Sequence, residues 1–387
     1  MPLRTGRPRA RQPAPVHHRN APQVDRPREP VAQPKRPQRP AHRRRLPPRR
    51  RERARRLAHR TRLHRQPDQG RAVIPGVLVC GNIVYDILVR PVDQVRYEAS
   101  TWVEDISTFL GGNGSNTSYA IAKLGVPARL VGMIGRDPFG DAVLGTLQEG
   151  GVDTRWVDRI EAATATTVGL VASDGKRAFL HRPGCSREGF AEAIEFTPDL
   201  IAGCATFHLA NPFAMPLLRR SAPEFVRRGR AAGLRTSCDT GWDARGEWMD
   251  VLGPCLPHLD ILFTNEEEAL RLTGADDHRR AAAALRSGGA GTVVIKRGPL
   301  GCSVFTPAGS FDAPALPVTA VDTTGAGDTF AGAFLAALHR GRSLEESARV
   351  ANAVGAMNVL QLGAVAGLGT WEQTLAFLAS KVPDFGA

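Results

Sequence analysis

The sequence lacks the marks of several protein classes. Its six cysteines, Cys80, Cys185, Cys204, Cys238, Cys255 and Cys302, form no C-x-x-C pair. That argues against a zinc module and a dense disulfide framework, and it points to buried thiols in a reducing compartment. No apolar run reaches the ~18 residues of a membrane-crossing helix. The best stretch, Ala351 to Gly369, is broken by Asn352, Asn358 and Gln361. The expectation is a cytoplasmic protein with no membrane partner. Two phosphate-loop signatures are also missing. The one Gly-Lys pair, Gly175-Lys176, is followed by Arg177, so G-x-x-x-x-G-K-[ST] does not occur. G-x-G-x-x-G fails after Gly112-x-Gly114 and after Gly325-x-Gly327, where Thr117 and Phe330 replace the third glycine. A P-loop or a plain dinucleotide domain is therefore disfavoured. His181, His208, His258, His278 and His339 make no metal-ligand spacing and read as core or surface.

Charge is distributed unevenly. Residues 1–71 hold 23 Lys and Arg against four acids, Asp25, Glu29, Glu52 and Asp68, a net of +19. The remaining residues carry 28 basic and 34 acidic side chains, a net of −6, within a whole-chain total of +13. The proline-rich, self-repelling segment 1–72 has too few apolar side chains to offset chain entropy, so it is expected to be a disordered tail. A nucleic-acid arm is one reading of such a tail, but no aromatic interleaves with its charges for base stacking. The favoured expectation is a non-native extension or inert tail, with a single folded unit over 73–387.

From Val73 onward, short β-branched runs alternate with helical patterns. "ARLVGMIG", "ATFHLA", "DILFTN" and "TVVIKRG" read as strands; "NTSYAIAKLG", "FGDAVLGTLQEGG" and "RRAAAALRSGG" read as helices ending at glycine. This alternation predicts an α/β fold, a mostly parallel central sheet with helices on both faces. Two segments, about 87–110 and 164–184, read as strands without helices, the second with an Asp174-Gly175 hairpin signal. They are expected to form a small β-sheet lid that excludes water from a ligand crevice.

Several motifs suit an anionic or sugar ligand. In "DTTGAGDTFAGAFL" (322–335), Gly325, Ala326 and Gly327 precede a helix expected to run from Thr329 to His339. Their amides would face an anion at its positive end, with Asp328 beside it as a proton acceptor. The same tetrapeptide is equally a capped turn. "FLGGNGSN" (109–116) opens a second helix, where Gly112 bares the backbone and Asn113 and Asn116 offer amides that both donate and accept. Asp86 stands near the end of the first strand, where α/β sheets bind ligands. Asn265 and Glu268 share one face of a first helical turn, either as holders of magnesium-bound water or as ordinary helix-start residues. Asp239 and Asp243 also follow a strand and read equally as crevice-lining residues or as ordinary loop residues.

The order of these elements resembles the ribokinase-like, PfkB-type carbohydrate kinase family: Asp86, Gly111-Gly112-x-x-x-Asn116, Asn265-x-x-Glu268, Lys296-Arg297-Gly298-x-x-Gly301 and "DTTGAGD". The resemblance runs from about Val73 to the C-terminus. It implies a ribokinase-like fold and ATP-dependent phosphorylation of a sugar hydroxyl, with Asp328 as general base and the Gly325–Gly327 amides as an anion hole. It implies that Asp86, Gly112, Asn113 and Asn116 hold the sugar. Lys296, Gly298, Gly301 and Asn352 would meet the nucleotide, and Asn265 and Glu268 would order Mg2+ through water. Asp322 and Thr323 match positions that bind a monovalent cation such as K+ in some members. The lid of the family commonly mediates homodimers. Three departures stand out. Val84 replaces the Asn that ribokinase proper carries two residues before its aspartate, Asn113 replaces a usual Lys, and Lys296 replaces a usual Thr or Ser. The first two argue against ribose itself. A nucleoside kinase on the same scaffold is the alternative, with Tyr97, Trp102, Phe109 and Phe179 available for a base. A non-catalytic sugar-binding regulator is a third reading, disfavoured by an intact Asp328.

Overall fold

The computed structural model describes residues 74–382, so the expected tail over 1–72 lies outside the described residues. The first strand, β1 (Gly76–Gly81), is buried along its whole length and shows why a parallel sheet forms here. Val77 and Val79 point into one apolar core, while Leu78 and Cys80 point into a second. A strand covered on both faces has no polar side to alternate, and a continuous apolar run results. Val293, Val294 and Ile295 repeat the arrangement, Val294 in the first core and its neighbours in the second.

The remaining strands are β2 (Val84–Arg90), β3 (Asp105–Gly111), β4 (Ala128–Gly135), β5 (Asp153–Ile160), β6 (Thr166–Val171) and β7 (Arg177–Arg182). They are followed by β8 (Cys204–Ala210), β9 (Arg235–Asp239), β10 (Ile261–Asn265), β11 (Thr292–Lys296), β12 (Cys302–Thr306) and β13 (Gly309–Ala313). The large sheet has the order β13-β12-β11-β10-β9-β8-β1-β4-β5. Its ladders from β11 to β5 are all parallel, and β12 and β13 close one edge antiparallel. β5, β12 and β13 have no counterpart among the expected strands: β5 and β13 are polar and largely outside the core, and β12, though buried over Cys302–Val304, is only five residues long.

The helices are α1 (Asn113–Lys123), α2 (Pro138–Glu149), α3 (Pro198–Ile201), α4 (Leu218–Ala231), α5 (Trp248–Leu252) and α6 (Glu266–Thr273). Then come α7 (His278–Ser287), α8 (Ala326–His339), α9 (Leu344–Asn358) and α10 (Trp371–Lys381). α8 is built from alanine, glycine and phenylalanine and is buried nearly all round. No helix among the described residues is long and apolar enough to cross a membrane.

A separate four-stranded sheet has the order β3-β2-β6-β7 and holds the two helix-poor segments singled out in the sequence. The Asp174-Gly175 signal marks the turn between β6 and β7, with Gly175 at φ 82° and its amide donating to the Ala172 carbonyl. β2 leaves β1 after two residues and β3 runs directly into α1, so this small sheet springs from the ligand end of the large one. All six cysteines are free.

Candidate active site

Five neighbouring strands end in polar side chains on one side of the large sheet. Lys296 closes β11, Asn265 closes β10 and Asp239 closes β9; Asn211 follows β8 and Asn82 follows β1. The carboxyl ends of parallel strands are where α/β sheets accept ligands. There, a cavity of about 460 Å3 opens. One end of it is polar, with Asn113, Asp239, Glu268, Lys296 and Asp328. The other is apolar, with Leu316, Pro317, Val318, Phe330 and Val359.

Asp328 sits in the first turn of α8. The helix begins at Ala326, three residues before the expected start, because Gly325 adopts φ 70° and serves as its N-cap. The first-turn amides therefore belong to Ala326, Gly327 and Asp328 itself, and such amides have no intrahelical acceptor. The Asp328 side chain receives Asn113 Nδ2 on Oδ1 at 2.7 Å and Asn116 Nδ2 on Oδ2 at 2.9 Å. Burial raises the pKa of this carboxyl above the ordinary value, and the two amides and the Lys296 charge act in the opposite direction. Asn116 Oδ1 is buried and has no hydrogen-bond partner, leaving an acceptor beside the carboxylate.

The glycines have distinct tasks. A Cβ on Gly111 would lie 2.1 Å from Asp86 Oδ2, and one on Gly112, at φ 95°, would lie 2.6 Å from the Asn82 carbonyl. The double glycine thus lets the start of α1 pass against Asp86 and Asn82. A Cβ on Gly325 would meet the Ala364 carbonyl at 2.6 Å, so its bareness serves packing, while Ala326 and Gly327 line the cavity. Gly298 and Gly301 also line it, and both take positive φ.

Asp86 lies on β2, in register with Thr167 of β6. Burial pushes its pKa to about 6, opposed by the Thr167 hydroxyl and assisted by the charges of Asp328 and Asp322. Of the four residues expected to hold a sugar, Asn113 lines the cavity, Asn116 reaches Asp328, and Gly112 caps the helix that carries both; Asp86 lies within β2 of the small sheet, not at the end of the first strand, and is not part of the cavity wall.

Lys296 is the cation at the centre of the polar end. Its Nζ spans both oxygens of Asp239 at 2.7 and 2.8 Å, and a Cβ on Gly327 would come within 3.1 Å of it. Burial works against its charge, but Asp239, Glu268 and Asp328 raise its pKa above the ordinary lysine value. Asn265 and Glu268 form a capping box at the start of α6: Asn265 Oδ1 accepts from the Glu268 amide at 2.8 Å, and Glu268 Oε2 from the Asn265 amide at 3.2 Å. Thr240 also donates to Glu268 Oε2 at 2.6 Å. The helix-start and ligand readings of this pair coexist, since both residues also line the cavity. Asn352 Nδ2 donates to the carbonyls of Ala313 and Pro314 at 2.9 and 3.1 Å, shaping the wall of the apolar end.

Three expectations are corrected. Asp322 does not present a free carboxylate to a monovalent cation, because Arg177 is paired with it at 2.5 Å; Thr323 does line the cavity. Tyr97 and Trp102, offered for a nucleobase, are 93% and 91% exposed, and neither they nor Phe109 and Phe179 line the cavity. Asp243 accepts the Trp248 amide at 2.7 Å and pairs with the buried Arg219, and it does not line the cavity as Asp239 does. The sequence reading missed Asn82, Asn211 and Arg177. Asn211 Nδ2 donates to Asn113 Oδ1 at 3.1 Å and the Asn113 amide to Asn82 Oδ1 at 2.9 Å. The available signal was position: each asparagine directly follows a buried strand.

The chain matches the model of the pfkB family carbohydrate kinases over residues 77–371. It is 30% identical over 308 residues to an ATP-dependent ribose-1-phosphate kinase from Halopiger xanaduensis, covering 79% of this chain and 98% of that one. The structure of an Arabidopsis thaliana ribokinase complexed with ribose and ATP superimposes with a TM-score of 0.70 and 26% identity, over 79% of this chain and 98% of that one. An Escherichia coli structure holding ATP and Mg2+ gives 0.71 and 25%, over 79% and 99%. Fold and site thus define a phosphotransferase of the ribokinase fold. The chain belongs to the pfkB family of carbohydrate kinases and is an ATP-dependent enzyme of the sugar and nucleoside kinase group.

Proposed function

We propose that the chain transfers the γ-phosphoryl group of ATP to a hydroxyl of a small monosaccharide, with Asp328 as general base. The observation that carries this is the seat of Asp328. It is a buried carboxylate at a helix N-terminus, held by two amides, where the polar end of the cavity meets Lys296.

Asp328 accepts the proton of the sugar hydroxyl as its oxygen bonds to the γ-phosphorus, the bridging P–O bond to ADP breaks, and the proton stays on the carboxyl. The first-turn amides of α8, those of Ala326, Gly327 and Asp328 rather than the expected Gly325–Gly327 set, and the Lys296 ammonium face the negative charge on the group in flight. Burial places the pKa of Asp328 nearer neutrality than an exposed aspartate, which makes it a stronger base once ionised. Asn113, which lines the cavity, orients the sugar, Asn116 holds the Asp328 carboxylate from behind, and Asp86 is a further acceptor. The apolar end, with Gly298, Gly301 and Asn352 beside it, takes the nucleotide.

Glu268 lines the cavity, and only its Oε2 is engaged, by Thr240 and the Asn265 amide. One free carboxylate oxygen fits Mg2+ held through water and nucleotide phosphates rather than by a protein cage. When bound, Mg2+ supplies charge neutralisation on the phosphates. The apolar Ile106, Phe179 and Leu180 are exposed on the small sheet, which supports association of two copies through it as well as a lid role. A monosaccharide is preferred to a nucleoside because the polar end is lined by amides and charges, with none of the candidate aromatics. The test is ADP release with ATP, Mg2+ and a panel of sugars and nucleosides. Turnover confined to nucleosides would overturn the sugar assignment, and none at all the kinase one.

A further inference from the structure

Arg177 opens β7 in the small sheet, yet its guanidinium ends in the loop before α8. Nη1 donates to Asp322 Oδ1 at 2.5 Å and to Thr324 Oγ1 at 2.9 Å. The Asp322 side chain is fully buried, whereas that of Arg177 keeps 20% exposure. Asp322 Oδ1 also accepts the Thr324 amide at 2.8 Å, and Oδ2 accepts the Gly363 amide at 2.9 Å. Burial opposes the charge on Asp322, but those amides, the Thr324 hydroxyl and Arg177 together hold its pKa below the ordinary carboxylate value.

Both oxygens of Asp322 are therefore committed, and its charge is already balanced. A monovalent cation at Asp322 and Thr323 does not fit this arrangement. It would share a single buried carboxylate with a guanidinium, placing two positive charges against one negative. A guanidinium also supplies directed donors that a spherical ion lacks, and it stays charged at any working pH.

We propose that Arg177 takes the place of a monovalent cation in this chain: a built-in charge that fixes the 322–325 loop and so makes phosphoryl transfer independent of potassium. The inference rests on the reading of Asp328 and the α8 amides as the transfer machinery. The loop is otherwise anchored from one side only. Val321 and Asp322 donate to the Val359 carbonyl, Asn358 Nδ2 donates to the Thr324 carbonyl, and Gly325 packs on Ala364. Arg177 holds the opposite side, and it is carried by the hairpin of the small sheet. Arg177 touches neither the hydroxyl nor the phosphoryl group; it is a positioning residue, and it ties the seating of the small sheet to the geometry of the transfer loop.

The experiment compares initial rates of the full chain in potassium, sodium and tetramethylammonium chloride at equal ionic strength, with ATP, Mg2+ and the sugar found by the panel. The wild type is expected to turn over equally in all three. Arg177→Ala should lose roughly 10²-fold in tetramethylammonium, chiefly in kcat, as a misplaced transfer loop would. It should recover with potassium or free guanidinium, and Arg177→Lys should stay independent of added cation. Crystals grown in rubidium chloride give a readout that needs no turnover: no anomalous peak beside Asp322 in the wild type, and one in Arg177→Ala. A wild-type rate that rises about tenfold with potassium, the size of a lost positioning contact, or a rubidium peak beside wild-type Asp322, overturns the proposal. If the alanine variant does not fold, the two wild-type measurements decide. A chain that phosphorylates nothing in any salt defeats the kinase assignment instead, while the rubidium map still reports on the cation.

Discussion

Asn113 and Asp328 lie 215 residues apart in the chain and meet in a 2.7 Å hydrogen bond between the first turns of α1 and α8. Two helix starts thereby converge on one carboxylate. The start of α1 is closed by Asn82, whose side chain and carbonyl take the Asn113, Gly114 and Ser115 amides, and the start of α8 carries the carboxylate, so both are fixed by the same packing.

The first prediction concerns that carboxylate. Asp328→Asn keeps the shape of the side chain but cannot take a proton, so kcat should fall by at least ~10²-fold with sugar affinity nearly unchanged. Steady-state kinetics and calorimetric sugar binding measure the two effects separately. Full activity in this variant would refute the assignment of the base.

A second prediction follows from the amides that face it. Asp328 acts only when ionised, so kcat/KM should rise with pH through its pKa, which burial places above the ordinary carboxylate value. Asn113 and Asn116 favour the charged form and lower that pKa. Asn116→Leu removes one donor, so the acid limb should move to higher pH. A pH profile of the variant against wild type is the check; a limb that stays in place or moves to lower pH contradicts the arrangement.

Lys296 and Asp239 give a third. Lys296→Met leaves Asp239 buried without its partner, a situation that costs about 3 kcal/mol of stability. Urea unfolding should show that loss, and adding Asp239→Asn should recover much of it. Turnover should stay low in both variants if Lys296 supplies the positive charge proposed to face the transferring group. A Lys296→Met enzyme with wild-type turnover would make the lysine purely structural.

The basic tail supplies the fourth. The family match begins at residue 77, and among the described residues both apolar cores are built from residue 77 onward, with Ile74 packed against the first. A chain beginning at Val73 should therefore match the full chain in turnover and melting temperature. Lower activity on truncation would give the tail a functional part.

Much of this arrangement is legible in residue order. The buried parallel strands announce themselves because both faces are apolar, as in β4, and "DTTGAGD" marks a helix start whatever its role. Three things escaped, for physical reasons. β12 and β13 form an antiparallel edge in which β12 is only five residues long and β13 is polar. The start of α8 depends on Gly325 adopting a left-handed conformation, which composition alone does not dictate. Arg177 acts across 145 residues, and nothing local distinguishes it from any exposed arginine of a hairpin.

The two-faced strands carry one last consequence. Asn82, Asn211, Asp239, Asn265 and Lys296 stand at or just past the ends of strands whose inner residues are shared between two separate apolar layers. None of these side chains belongs to either layer; Lys296 and Asp239 are bound to each other, whereas the three asparagines can be exchanged without breaking an ion pair. Substrate preference can therefore drift by single substitutions at the rim while the body that holds the rim in place is inherited unchanged.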